Sequence, residues 1–137
     1  MSETSDEKTL AEAVDALADR FRAMPQSRLL GAVAGHSSRA AAGLALARWL
    51  AVTARAAEAV GADGGSEAGS DGVPAHELPD AGAFAVGDQL AVVGHDLAAA
   101  LAALPGDAAV ALPDGPVAAE AVRALAVRRL AEVSAAL

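Results

Sequence analysis

Residues 85–104 read AVGDQLAVVGHDLAAALAAL. Within them Val86, Leu90, Val93, Leu97, Leu101 and Leu104 recur at steps of three and four. An α-helix turns once in about 3.6 residues, so this spacing gathers the large side chains into one stripe, whereas a half-buried strand needs strict alternation. The stretch therefore predicts a helix with one face to bury, Asp88 as its cap and Pro105-Gly106 as its stop.

The same reading extends outward. Leu10, Val14, Leu17, Phe21 and Met24 repeat the pattern and predict a helix from about Asp6 to Ala23, ended by Pro25. Ser27 is expected to cap a second helix, because Arg28 to Val60 contains no proline. A fourth is expected to open at Asp114-Gly115-Pro116, with Asp as cap and Pro in the first turn. Its stripe is Ala119, Val122, Ala126, Leu130, Val133 and Leu137. Leu78-Pro79-Asp80 and Leu112-Pro113-Asp114 then read as shared chemistry at helix starts. Each stripe must be buried against another, so the expectation is an all-α chain without strands, a four-helix bundle forming one domain over 1–137.

Helix two departs from the rule. Leu29, Leu30, Val33 and Leu44 cluster on one side, while Leu46, Trp49, Leu50, Ala57 and Val60 lie opposite. Arg28 and Arg39 share one face, Arg48 and Arg55 the other. Either the helix breaks near Gly35-His36-Ser37-Ser38, where Ser37 or Ser38 caps a new segment, or it is covered on two sides, in the bundle or in a subunit interface.

Between helices two and three, residues 61–82 hold Asp63, Glu67, Asp71, Glu77 and Asp80 and no Lys or Arg. The Gly- and Ser-rich composition predicts a flexible acidic loop, disordered at least through Gly72. Its five acids supply most of the net charge of -8, set by 18 acidic and 10 basic residues. That balance disfavours phosphate backbones and anionic lipid. The chain has no Cys, which excludes disulfides and thiolate chemistry. Arginine supplies every basic residue but Lys8, a bias that matches high-GC bacterial codon usage. Met1 to Lys8 lacks the basic and apolar regions of a secretory signal, and Arg39, Arg48 and Arg55 interrupt the longest apolar run, so the expectation is a cytoplasmic chain with no membrane span.

Chemistry-bearing motifs are sparse. Gly31 and Gly35 form a G-x-x-x-G pair that Gly43 continues with Ala32, Ala40 and Ala47, a small-residue face suited to close helix approach. Ala34-Gly35-His36-Ser37-Ser38-Arg39 resembles the turn of a helix-turn-helix, but the following Ala40, Ala41, Ala42 and Gly43 offer nothing that reaches base edges. His95 lies about 160° from the Leu97 stripe and should face solvent. His36, His76 and His95 show no metal-ligand spacing. Ser27, Ser37, Ser38 and Thr53 have no nucleophile elbow, and Gly64-Gly65 and Gly69 sit among acids that repel phosphate. Arg128-Arg129 reads as an i,i+4 partner of Glu132.

No catalytic set, cofactor or metal is therefore expected. The reading that remains is a non-catalytic protein–protein interaction or regulatory module. It is expected to form a homodimer through helix two, with Gly31, Gly35, Leu46, Trp49 and Leu50 at the interface, and to engage a protein partner. The alternatives are a DNA-binding regulator built on residues 28–48 and a small-ligand-binding bundle.

Overall fold

The stripe is buried from Val86 to Leu101, with Leu90, Leu97 and Leu101 completely so, and Leu104 is half-buried at its end. The computed structural model describes residues 9–62 and 78–137. These form a mostly helical structure: α1 (Leu10–Ala23), α2 (Gln26–Leu29), α3 (Arg39–Ala62), α4 (Val86–Ala102) and α5 (Ala119–Ala136), with a two-stranded sheet before α5. Residues 63–77, which carry most of the expected acidic loop, lie outside the described residues.

Local chemistry sets the boundaries. Thr9 caps α1, its hydroxyl accepting from the Glu12 N–H at 3.1 Å while the Glu12 carboxylate accepts from the Thr9 N–H at 3.1 Å. This reciprocal box, at Thr9 rather than near Asp6, satisfies two orphan donors of the first turn. Ser27 caps nothing, because it lies inside α2, whose cap position is Pro25. Asp88 likewise lies inside α4, which follows a 3-10 turn at Ala83–Ala85.

Helix two breaks where the serines and glycine fall. Gly35 turns the chain at φ 84°, a conformation that suits a residue without Cβ. The His36 N–H donates to the Val33 carbonyl at 3.1 Å, and the Ser38 hydroxyl accepts from the Ala41 N–H at 2.9 Å as α3 begins. Ser38→Ala should therefore lower stability by about 1 kcal/mol, the ordinary cost of a lost helix cap; a urea midpoint unchanged from wild type would contradict this role.

The fourth helix does not open at Asp114, and the expectation of no strands is corrected. β1 (Ala109–Leu112) pairs antiparallel with β2 (Gly115–Ala118), Val110 opposite Val117. Pro113 and Asp114 form the turn, and Gly115 has φ 126°. Pro presets the turn's first dihedral, Asp suits its second position and Gly accepts the positive φ that follows. Leu112-Pro113-Asp114 is thus hairpin chemistry. The hairpin also replaces a side-chain cap for α5. The Ala119 and Glu120 N–H groups donate to the Ala108 and Gly106 carbonyls, each at 2.8 Å, so two donors of the first turn are paired.

α4 packs along both α3 and α1, and α5 packs on α1 and α3. Glycines set the spacing. A methyl group on Gly94 would lie 2.5 Å from Val14 Cγ2, and one on Gly43 would lie 2.6 Å from Val86 Cγ1 and 2.7 Å from Phe21 Cζ. A Cβ on Gly87 would likewise lie 2.9 Å from the Ala18 carbonyl oxygen, so close approach rests on Gly43, Gly87 and Gly94, whereas Gly31 and Gly35 lie in the connection before α3. The neighbours fix direction too: Val14 beside Gly94 with Arg22 beside Asp88 makes α1 and α4 antiparallel, whereas Gly43 beside Val86 with Gly61 beside Leu104 makes α3 and α4 parallel. Among the described residues no helix is long and apolar enough to cross a membrane.

Candidate interaction surface

α3 has two kinds of apolar residue. Leu46, Leu50 and Ala57 are buried in the chain's own core. At about 100° per residue, Ala41, Ala45, Ala56 and Ala59 fall in another sector about 120° wide, which also holds Trp49 and Val52. Arg48 and Arg55 supply its charge. None of these eight residues is buried, and Val52 is 44% exposed. Glu58, the single acid of α3, lies outside the sector.

Trp49 is half-buried at the edge of this face. The Arg129 guanidinium, from α5, lies over its ring at 4.5 Å from the centroid, an attraction between a cation and the negative ring face. Arg129 is therefore a partner of Trp49, which replaces the expected pairing with Glu132. The Thr53 hydroxyl donates to the Trp49 carbonyl at 2.7 Å, giving the buried polar side chain of α3 an acceptor. Beside Trp49 a cleft of about 330 Å³ opens between α3, α5 and the 33–36 loop. Leu46, Ala42 and Val133 contribute apolar lining, and His36 and Glu132 also line it.

The swap of arginines along helix two reflects two structural roles. Arg28 Nη2 and Arg39 Nε donate to the Leu137 backbone oxygen at 2.9 and 3.3 Å, and Arg20 Nη1 donates to the Ser134 carbonyl at 2.9 Å and hydroxyl at 2.6 Å. These cations meet backbone oxygens of the last turn at the negative dipole end of α5. Arg48 Nε instead donates to the Leu78 carbonyl at 2.8 Å, anchoring the returning segment beside α3.

The described histidines do not converge. His36 is exposed on its loop, and His95 Nε2 donates to Asp15 Oδ1 at 2.7 Å, across α1 and α4 on the solvent side. His76 lies outside the described residues. Asp88 pairs with Arg22 at 2.8 Å, and that hydrogen bond first, then the Asp88 and Asp19 charges, raises the Arg22 guanidinium above its ordinary value. Among the described residues no group of three or more His, Cys, Asp or Glu side chains could hold a metal ion. In the segment resembling a helix-turn-helix, the helix before the turn has four residues. Ala40, Ala42 and Leu44 are buried, Arg39 turns to Leu137, and the side left open at the start of α3 presents only Ala41 and Ala45.

Of the five residues expected at an interface, Leu46 and Leu50 are core, Gly31 and Gly35 border the turn, and Trp49 reaches the surface. Leu30, expected to share a buried side with Leu29, is 54% exposed, because α2 ends at Leu29. Sequence reasoning missed Val52 and Arg129. The steps from Ala45 through Trp49 and Val52 to Ala56 carried a signal for the first; nothing local signals Arg129, whose partner is 80 positions away. Comparison with protein-family models, with curated proteins and with solved structures found no match to this chain.

Proposed function

We propose that this chain is a non-catalytic helical interaction module, a four-helix bundle of α1, α3, α4 and α5 that engages a protein through the outer face of α3. One observation carries the reading: on a chain of net charge -8, α3 contributes to this face exposed Val52, half-buried Trp49, four alanines and two arginines, and the acids Asp80 and Glu132 come only from other elements at its margins. Small residues allow another backbone to approach, and Trp and Arg are the residue types that most often anchor protein contacts. A surface built this way needs no reacting groups, and the cytoplasmic placement expected from the sequence suits such a module.

Self-association through α3, the form expected from the sequence, faces an electrostatic cost. Two copies related by a twofold axis would bring Arg48, Arg55 and Arg129 of one copy toward the same set of arginines on the other, a repulsion that salt screens. Light scattering should therefore show a mass close to 13.4 kDa at low salt, rising toward a dimer with salt and protein concentration. Val52→Arg should remove that rise. A mass unchanged at every salt and concentration would remove self-association from the proposal, and a rise that survives Val52→Arg would place the contact elsewhere.

A further inference from the structure

We propose that the outer face of α3 receives an acidic amphipathic helix of a partner protein. The inference rests on that face being a contact surface and adds the chemistry of what occupies it.

Shape comes first. The exposed sector of α3 is about 120° wide, and Ala41, Ala45, Ala56 and Ala59 leave it shallow along the helix axis. A second helix can lie close along such a strip, because small side chains hold the two backbones apart only slightly. Val52 and Trp49 are raised on the strip, one turn apart, and offer contacts to apolar residues at i and i+3 or i+4 of the incoming helix. The cleft beside Trp49 extends the strip toward α5.

Charge then selects the partner. Arg55 is exposed on one flank, and Arg129 lies over Trp49 on the other. Arg48 adds a third cation, held by its bond to Leu78. Stacking on an indole engages the face of a guanidinium and leaves its in-plane N–H groups able to bind carboxylates. Across the strip an incoming helix would meet Arg55 and Arg129 on opposite flanks; the acids at the margins are Glu132, which lines the cleft with Arg129, Asp80, which lines the groove with Arg48, and Glu58, one turn from Arg55. Glutamates flanking an apolar stripe satisfy that arrangement, and lysines there would be repelled. A second copy of α3 would bring arginine to arginine. An anionic membrane surface offers the right charge, but the net charge of -8 opposes approach to it at long range.

The test uses the full chain and a synthetic helical peptide with leucine on one face and glutamate along both flanks, and a twin with lysine at every glutamate position. Trp49 is the sole tryptophan and the chain has no tyrosine, so its emission reports occupancy directly. The glutamate peptide should shift the emission saturably, weaken with added salt, and bind at least about tenfold more tightly than its twin. Arg55→Glu with Arg129→Glu should invert the preference. Val52→Glu, on an exposed position, should weaken the glutamate peptide should the double variant fail to fold. Equal binding of both peptides would overturn the acidic partner while leaving α3 as a contact surface. No emission change with either peptide at low salt, together with a constant mass in light scattering, would overturn both. Capture of the chain by phosphatidylserine vesicles and not by the glutamate peptide would replace the helix with a membrane.

Discussion

Replacing Gly94 by valine is expected to destabilise the fold by about 3 kcal/mol, the upper part of the range for overpacking a well-filled interior. The reason is local. A Cβ on Gly94 would sit 2.5 and 2.6 Å from the two γ-carbons of Val14 and 3.1 Å from its Cβ. Val14 is completely buried and β-branched, so in a helix it has essentially one rotamer and cannot swing aside. The remaining adjustment is to move α4 away from α1, which would also pull His95 from Asp15 and Asp88 from Arg22. Alanine at Gly94 should cost less, because removing glycine from a helix interior returns about 1 kcal/mol of backbone propensity. Placing Gly94→Ala on a Val14→Ala background should make the change neutral or stabilising, since the colliding γ-carbons are gone. Urea unfolding of the four proteins in this cycle checks the argument. Additive effects of the two substitutions would show that Gly94 does not set the distance between α1 and α4.

That contact illustrates what the sequence conceals. The stripes of α1, α4 and α5 were legible because burial of large residues every three or four positions belongs to a single segment; Leu10 to Met24, Val86 to Leu101 and Ala119 to Leu130 are buried as that pattern requires. Gly94 was read only as the residue before His95, for its partner lies on another helix. Asp15 with His95, and Arg39 with Leu137, are likewise joined by the fold and not by neighbourhood. The hairpin escaped for a different reason. Asp-Gly-Pro serves both as a helix start and as a turn, and strands of four residues containing Ala109, Ala111 and Ala118 have too little β-branched content to tip the balance. The break near Ser38 was visible as one of two alternatives, because a reversal of the apolar side within one helix has few physical causes. The outer face of α3 was half legible. Its angular spread follows from sequence, but which of two apolar arcs the other helices cover depends on where α4 and α5 pack.

Leu50→Ala separates those arcs experimentally. Leu50 is completely buried in the core, so truncating it removes transfer free energy and leaves a cavity, at a cost of about 2–5 kcal/mol. Val52, two residues on, is 44% exposed, and Val52→Ala should stay within about 0.5 kcal/mol of wild type, as surface changes usually do. Binding should divide in the opposite sense. Folded Leu50→Ala protein should retain wild-type affinity for the glutamate peptide, because no atom of that residue reaches the outer face. Val52→Ala should weaken the peptide severalfold through lost apolar contact. Both readouts come from one pair of proteins: a urea titration for stability, and Trp49 emission at a urea concentration where each remains folded. Should Leu50→Ala leave the urea midpoint in place while lowering peptide affinity, Leu50 would belong to the contact surface and the division of α3 into a covered arc and a presented arc would be wrong. The expected result, stability lost at one position and affinity at the other, follows from placing them about 200° apart around the same helix.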